Sequence, residues 1–240
     1  MLMGRRSPRP MQSFNRFRTS YEADLGRALR GSGQDADFFT RAKARALLEL
    51  THRHLGDPGV LDVLDVGCGI GSTDTELLPV FRGVTGVDLS EALLERAAER
   101  NPGARYDSYS GGRLPYDDGA FEVVFAFCVL HHVPPRERPL LVGEMRRVTR
   151  AGGLVVIGEH NPLNPLTRLV VSRCAFDDDA LLLSAREAER LMRGAGLGRL
   201  ERRHILVLPS ERRVARAIDA WLGALPIGAQ YVVAGRPSPA

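Results

Sequence analysis

The chain has 240 residues, 44% of them hydrophobic and 26% charged, with a formal net charge of +4. That size and balance give one large domain with a full core, and they exclude a disordered or fibrous chain. Lys43 is the sole lysine, so arginine carries nearly all the positive charge, and a modest excess of this kind marks no nucleic-acid surface. The N-terminal Gly4-Arg5-Arg6-Ser7-Pro8-Arg9-Pro10 is basic, but no apolar stretch follows it, so it reads as a disordered tail and not as a signal peptide. Residues 11–40 read as one or two short helices broken at Gly31-Ser32-Gly33, and their Phe14, Phe17 and Tyr21 suit a helical lid. The expected organisation is therefore tail and lid over 1–40 and a single catalytic domain over 41–240.

Arg41 to Leu55 has helical spacing, with Ala44, Leu47, Leu48 and Leu55 on one face. Strands follow at about 61–66, 84–88, 104–108, 122–128 and 153–158, with helices at 72–80, 90–100 and 136–149 between them. This alternation predicts an α/β fold, a doubly wound parallel sheet with helices on both faces. Its ligand belongs over the C-terminal strand ends, beside the first strand. His160-Asn161-Pro162-Leu163-Asn164-Pro165 must be irregular, because each proline restrains the residue before it. Residues 160–183 form an insertion at that same end of the sheet, in place to wall a substrate. Ser184-Ala185-Arg186-Glu187 then has the pattern of a capping box.

No apolar run approaches the roughly 20 residues that span a bilayer. Cys68, Cys128 and Cys174 make neither a disulfide framework nor a metal-ligand spacing. Free thiols suit a reducing compartment, so the expectation is a cytoplasmic protein with no metal.

The densest signal is Val63-Leu64-Asp65-Val66-Gly67-Cys68-Gly69-Ile70-Gly71-Ser72. A β-branched run ends in an acid and then in glycines spaced G-x-G-x-G, which reads as strand, tight turn and helix start. A second run, Gly83-Val84-Thr85-Gly86-Val87-Asp88-Leu89-Ser90, also ends in an acid, 23 positions after Asp65. In a strand–helix–strand unit that second acid accepts hydrogen bonds from a ribose diol. The dinucleotide fingerprint is G-x-G-x-x-G, and here the third glycine comes one residue early. Asp65 beside the loop would also repel a pyrophosphate and favour a cationic ligand.

These residues resemble the first two motifs of class I S-adenosylmethionine-dependent methyltransferases. The resemblance extends through Leu114-Pro115-Tyr116-Asp117-Asp118-Gly119-Ala120-Phe121-Glu122-Val123-Val124-Phe125 to Val129-Leu130-His131-His132-Val133, similar to small-molecule members of that family. It departs at Glu122, where the family more often has Asp. Glu144-Met145-Arg146-Arg147-Val148 and Ala151-Gly152-Gly153-Leu154-Val155-Val156-Ile157 continue it as helix, glycine turn and fifth strand. The resemblance implies a Rossmann-like sheet of seven strands, with a sixth near 201–208 and an antiparallel seventh near 229–235. It implies S-adenosyl-L-methionine as cofactor and a small molecule, a secondary metabolite or a sugar, as methyl acceptor.

On this reading Asp65, Gly67, Cys68, Gly69 and Gly71 form the cofactor loop, Asp88 takes the ribose and Leu89 lies against the adenine. Ser110 and Gly111 meet the adenine edge, Tyr21 covers the methionine end, and Phe127 faces the sulfonium region. Packing is the alternative role for the glycines and for Tyr21. Methyl transfer is a displacement in which alignment does most of the work. A hydroxyl acceptor also needs a base, and His131, His132 and His160 all follow strands four and five where the methyl must sit. Oxygen is favoured slightly over nitrogen or carbon as acceptor atom. Amino-methylating nucleic-acid enzymes carry an Asn/Asp-Pro-Pro-aromatic motif at the end of strand four, where this chain reads Phe127-Cys128-Val129-Leu130. Two other functions stay open: a non-methylating enzyme of the same fold, and a dinucleotide oxidoreductase. The oligomeric state is not legible.

Overall fold

The computed structural model describes residues 35–174, 177–178, 180–208, 210 and 213–237. The expected lid helices, Tyr21 among them, lie outside the described residues, apart from the last few positions of that segment. Those positions open helix α1, Ala36–Leu55, five residues before the expected start at 41. The reason is local: the Asp35 side chain accepts a hydrogen bond from the Phe38 amide at 2.8 Å and caps the helix, and Phe38 is buried. The boundary drawn at residue 40 therefore falls inside the first helix of the domain.

After α1 come β1 (Asp62–Val66), α2 (Ser72–Leu77), β2 (Gly83–Asp88), α3 (Glu91–Arg100), β3 (Arg105–Ser108) and β4 (Phe121–Phe127). Then follow α4 (Arg138–Val148), β5 (Thr149–His160), α5 (Pro165–Arg173), α6 (Ala185–Gly194), β6 (Leu197–Ile205), α7 (Arg213–Leu222) and β7 (Gln230–Pro237). The seven strands form one sheet in the order β3-β2-β1-β4-β5-β7-β6. β7 runs antiparallel to both β5 and β6, and the other pairings are parallel. This is the Rossmann-like, doubly wound sheet with an antiparallel last strand that the sequence implies.

Alternation along the strands divides the core in two. Leu64, Val66, Val124, Ala126, Val155, Ile157 and Tyr231 face α4 and α6. Val63, Val123, Phe125, Phe127, Leu154 and Val156 face Ala44, Leu47 and Leu50 of α1. Leu47 is fully buried, and truncating such a leucine to alanine removes about 2–5 kcal/mol of stability.

β5 begins at Thr149, earlier than the expected 153, but its register on β4 shifts at the glycines: Thr149 pairs with Phe121 and Leu154 with Val123, with Gly152 at φ 76° between them. A Cβ on Gly153 would lie 2.6 Å from the Glu122 carbonyl oxygen, so only glycine lets β5 approach β4 there. β6 sits at 197–205, a few residues before its expected place, and Ser184 and Glu187 make the expected capping box on α6. Two helices, α5 within the insertion and α7, have no counterpart in the sequence reading.

Candidate functional site

A cavity of about 360 Å³ lies over the C-terminal ends of β1, β2, β4 and β5, the place where open α/β sheets bind ligands. A more open groove of about 650 Å³ lies at the opposite strand ends, by Asp62, Gly83 and Arg105, and holds no glycine loop.

The three glycines of the loop have different tasks. All take positive φ, 79° at Gly67, 57° at Gly69 and 67° at Gly71, as the tight strand-to-helix turn requires. A Cβ on Gly67 would strike the Val129 side chain at 2.6 Å, and one on Gly71 would strike Tyr106 Oη at 2.5 Å and Asn101 Nδ2 at 2.6 Å. A Cβ on Gly69 would meet nothing within 4 Å, because Gly69 faces the cavity. Gly67 also borders the cavity, whereas Gly71 is a packing glycine that caps α2 and accepts from Asn101 Nδ2 at 2.8 Å.

Asp88 ties the two motifs together. Its Oδ2 accepts from the Gly69 amide and its Oδ1 from the Ser90 amide, both at 2.9 Å. Each oxygen keeps a further lone pair for a diol on the cavity side. Leu89 lines the wall beside it. On the next strand end the wall is made by Tyr109, while Ser110 is exposed, and neither Ser110 nor Gly111 lines the cavity.

Behind the loop, Asp65 is buried against Asp74. Burial first, then the Asp74 charge, pushes the Asp65 carboxyl well above its ordinary range, and the Lys43 ammonium opposes this. Burial lifts Asp74 to about 6, against hydrogen bonds from Tyr106 Oη, 2.8 Å away, and from Asp65. Burial of the two carboxyls against each other thus disfavours charge on Asp65, and a cationic ligand would oppose that effect. Lys43 belongs to a stripe on α1, with Ala36, Phe39 and Thr40, that lines the cavity. Its Nζ lies 4.0 Å from Cys128 Sγ.

The turn after β4 is anchored from β5. Glu159 Oε1 accepts from the amides of Val129 at 3.0 Å and Leu130 at 2.7 Å, and Oε2 lies 2.5 Å from His131 Nδ1. Burial alone would raise the Glu159 carboxyl, but His131 and these donors hold it below its ordinary value. Burial likewise opposes charge on His131, yet Glu159 and Asp177 raise its pKa well above the usual histidine value. His132 stacks on His131 with centroids 4.0 Å apart, and burial together with the His131 charge drives it down to about 3.

His160, at the end of β5, lies 3.5 Å through Nδ1 from Gln230 Nε2, which is also 3.7 Å from Cys128 Sγ. Burial opposes its charge, but Cys128 raises its pKa above the usual value. Cys128 itself takes φ 58°, a conformation rare for a side-chain-bearing residue, where the chain leaves β4. The structure brings all three histidines into one cluster on the cavity wall, with Phe127 and Cys128 beside them. Cys68 lines the loop side.

The insertion closes this end of the cavity. Asn164 caps α5 through the Thr167 amide, and Leu166, Thr167, Val170 and Val171 face inward with Leu206 and Val207. Sequence reasoning missed Lys43, Asp74, Tyr109, Asp177 and Gln230. Lys43 had a signal, being the sole lysine at helical spacing from Phe39. Gln230 had none, because only the antiparallel pairing of β7 with β5 brings it to His160.

Comparison with known proteins gives a consistent picture. A family model described as a methyltransferase domain matches residues 64–157. The chain is 36% identical over 104 residues to the 27-O-demethylrifamycin SV methyltransferase of Amycolatopsis mediterranei, a match covering 40% of this chain and 38% of that one. It is 27% identical over 227 residues to a malonyl-[acyl-carrier protein] O-methyltransferase of Erwinia pyrifoliae, across 83% and 84% of the two chains. The fold superposes on phosphoethanolamine N-methyltransferase 2 of Haemonchus contortus, in complex with S-adenosyl-L-methionine, with a TM-score of 0.66. That match has 18% identity and covers 95% of this chain and 60% of the other, a likeness of fold.

Proposed function

Because residues 64–157 form a class I S-adenosylmethionine-dependent methyltransferase domain, we propose that the protein methylates a hydroxyl of a small acceptor with an apolar body. The observation that carries this reading is the cavity itself. One wall is the Gly69–Asp88 cofactor cradle, and the other is a histidine cluster continuous with an apolar insertion.

The cradle fits the cofactor. Gly69 leaves the space a close backbone approach needs, and the free lone pairs of Asp88 suit a ribose diol. Asp65 is placed for the amino group of the methionine end and Lys43 for its carboxylate, opposite charges that are both on the cavity wall. Tyr109 and Leu89 flank the adenine end, in the role first expected of Ser110 and Gly111. When bound, S-adenosylmethionine supplies a methyl group activated by its sulfonium charge.

The chain's own residues then orient the acceptor and take its proton. His131 is committed to Glu159 and holds the turn after β4. His160 faces the cavity from β5, and we assign it as the general base. Leu163, Leu166 and Leu169 make an exposed apolar rim on the insertion, Leu166 lining the cavity, and Asn161 and Asn164 tie the insertion to the carbonyls of Pro226 and Ile227. Such a rim suits a secondary metabolite with an apolar scaffold better than a bare sugar. An amphipathic acceptor is also in keeping with the rifamycin relative. Among the described residues no helix is long and apolar enough to cross a membrane.

The test is release of S-adenosylhomocysteine from S-adenosylmethionine against a panel of polyketide, phenolic and sugar hydroxyls and of small amines. Turnover restricted to acceptors with an apolar body supports the reading. Turnover on amines or free sugars alone contradicts it.

A further inference from the structure

Three side chains on the acceptor side are arranged as metal ligands are. Asp177 Oδ1 lies 3.4 Å from His131 Nε2 and 3.4 Å from His132 Nε2, and the three donor atoms all fall within 4.8 Å of one another. As hydrogen bonds both contacts are long. As edges of a tetrahedron they are well sized: bonds of about 2.0–2.1 Å to a central zinc ion put neighbouring ligand atoms about 3.3–3.4 Å apart.

The surroundings support the same assignment. His131 Nε2 is fully buried and has no hydrogen-bond partner. The other nitrogen of that ring, Nδ1, is held 2.5 Å from Glu159, itself fixed by two backbone amides. A carboxylate that orients a ligating histidine through its second nitrogen is the usual support of a metal site. All three residues line the cavity, so an ion held between them would stand at its wall.

We propose that His131, His132 and Asp177 bind a zinc ion whose fourth position is open to the acceptor oxygen. Two imidazoles and one carboxylate suit a borderline ion, whereas magnesium demands an all-oxygen octahedron. The ligands escaped the sequence because Asp177 stands 45 residues beyond His132, with no metal-binding spacing. The catalytic consequence rests on the methyl-transfer reading. Bound to zinc, the acceptor hydroxyl loses its proton to His160, and its oxygen forms the bond to the methyl carbon as the carbon–sulfur bond breaks. Sulfur leaves with that electron pair as a neutral thioether.

Metal binding is tested without reference to turnover, so failure of the metal site and failure of the methyltransferase reading are separable. Full-length protein is stripped with a chelator and titrated with zinc chloride by calorimetry, and with cobalt chloride by visible absorption. The proposal expects one zinc per chain and a tetrahedral cobalt spectrum. It expects at least about 100-fold weaker binding in Asp177→Asn and His132→Gln, about 10–100-fold weaker in Glu159→Gln, and no change in Asp178→Asn. S-adenosylhomocysteine binding by the same samples reports that each variant is folded, and Asp177→Ala replaces any that is not. Wild-type protein that takes up no zinc, or variants that take it up equally well, overturns the proposal. A cobalt spectrum of octahedral character overturns the choice of zinc.

Discussion

The two ends of the cavity are built in opposite ways. At the β1–β2 end the loop is built from two short segments, 65–73 and 88–89, joined by backbone hydrogen bonds such as Gly67 to the Val87 carbonyl at 2.7 Å, and a stripe of α1 with Tyr109 completes the wall. At the β4–β5 end the wall is gathered from residues 127–129, 131–133, 160, 164–174, 177, 206–207 and 229–230, and buried side chains such as Glu159 hold it. The difference teaches where specificity resides. A ligand common to many enzymes is held by backbone geometry that a short motif encodes, whereas the acceptor is met by side chains that only the complete fold brings together.

The largest expected effect separates the glycines at the cofactor end. Gly69→Val should abolish measurable S-adenosylhomocysteine binding, with a loss of stability limited to the strain of a β-branched residue at φ 57°, since its Cβ enters open cavity and meets no neighbour. Gly71→Val should do the reverse in kind and destabilise the fold by about 1–3 kcal/mol or more through collision with Tyr106 and Asn101. Equal loss of stability in both variants would break the distinction between the facing and the packing glycine.

A smaller effect sharpens the contrast between the ends. His160→Gln should lower turnover by about 10²–10⁴ while cofactor affinity stays the same. If cofactor affinity falls in parallel with rate, His160 supports the cradle and is not a base.

The finest effect is a proton count. The Asp65–Asp74 pair holds a proton because burial raises both carboxyls, Asp74 to about 6. A cation arriving at Asp65 favours the ionised form, so binding should release protons, and affinity should rise with pH through the range in which the pair titrates. The measurement is calorimetry in buffers of different ionisation enthalpy. Proton uptake, or none, would show that the ammonium end does not sit on Asp65.

Legibility in the sequence follows the same division. The order of strands and helices was readable because hydrophobic alternation, the glycine turn and the Ser184 capping box are local signals. The position of Gly67, Gly69 and Asp88 at the strand-end corner was readable for the same reason, whereas the contacts that pack Gly71 depend on Tyr106 and Asn101, about 30 residues away in the chain. The start of α1 was misjudged because the apolar spacing was counted from Ala44 onward, whereas the Asp35 cap and buried Phe38 begin the helix more than a turn earlier. Ser110 and Gly111 were chosen over Tyr109 by position alone, and the turn after β3 leaves Tyr109 facing inward. The acceptor side was least legible. His131, His132 and His160 were visible as candidates, but their separate environments depend on Glu159, Asp177 and Gln230, which the sheet and insertion bring to them.

The central claim is that the β1–β2 end alone holds the cofactor, through Asp88, and that the β4–β5 end acts on the acceptor. The most direct measurement is calorimetric titration of S-adenosylhomocysteine into wild-type, Asp88→Ala and His160→Gln proteins. The account predicts one site per chain in the wild type, affinity lower by about 1–3 kcal/mol, roughly 5- to 150-fold, in Asp88→Ala, and wild-type affinity in His160→Gln. Unchanged affinity in Asp88→Ala, or no binding by the wild type, would contradict it.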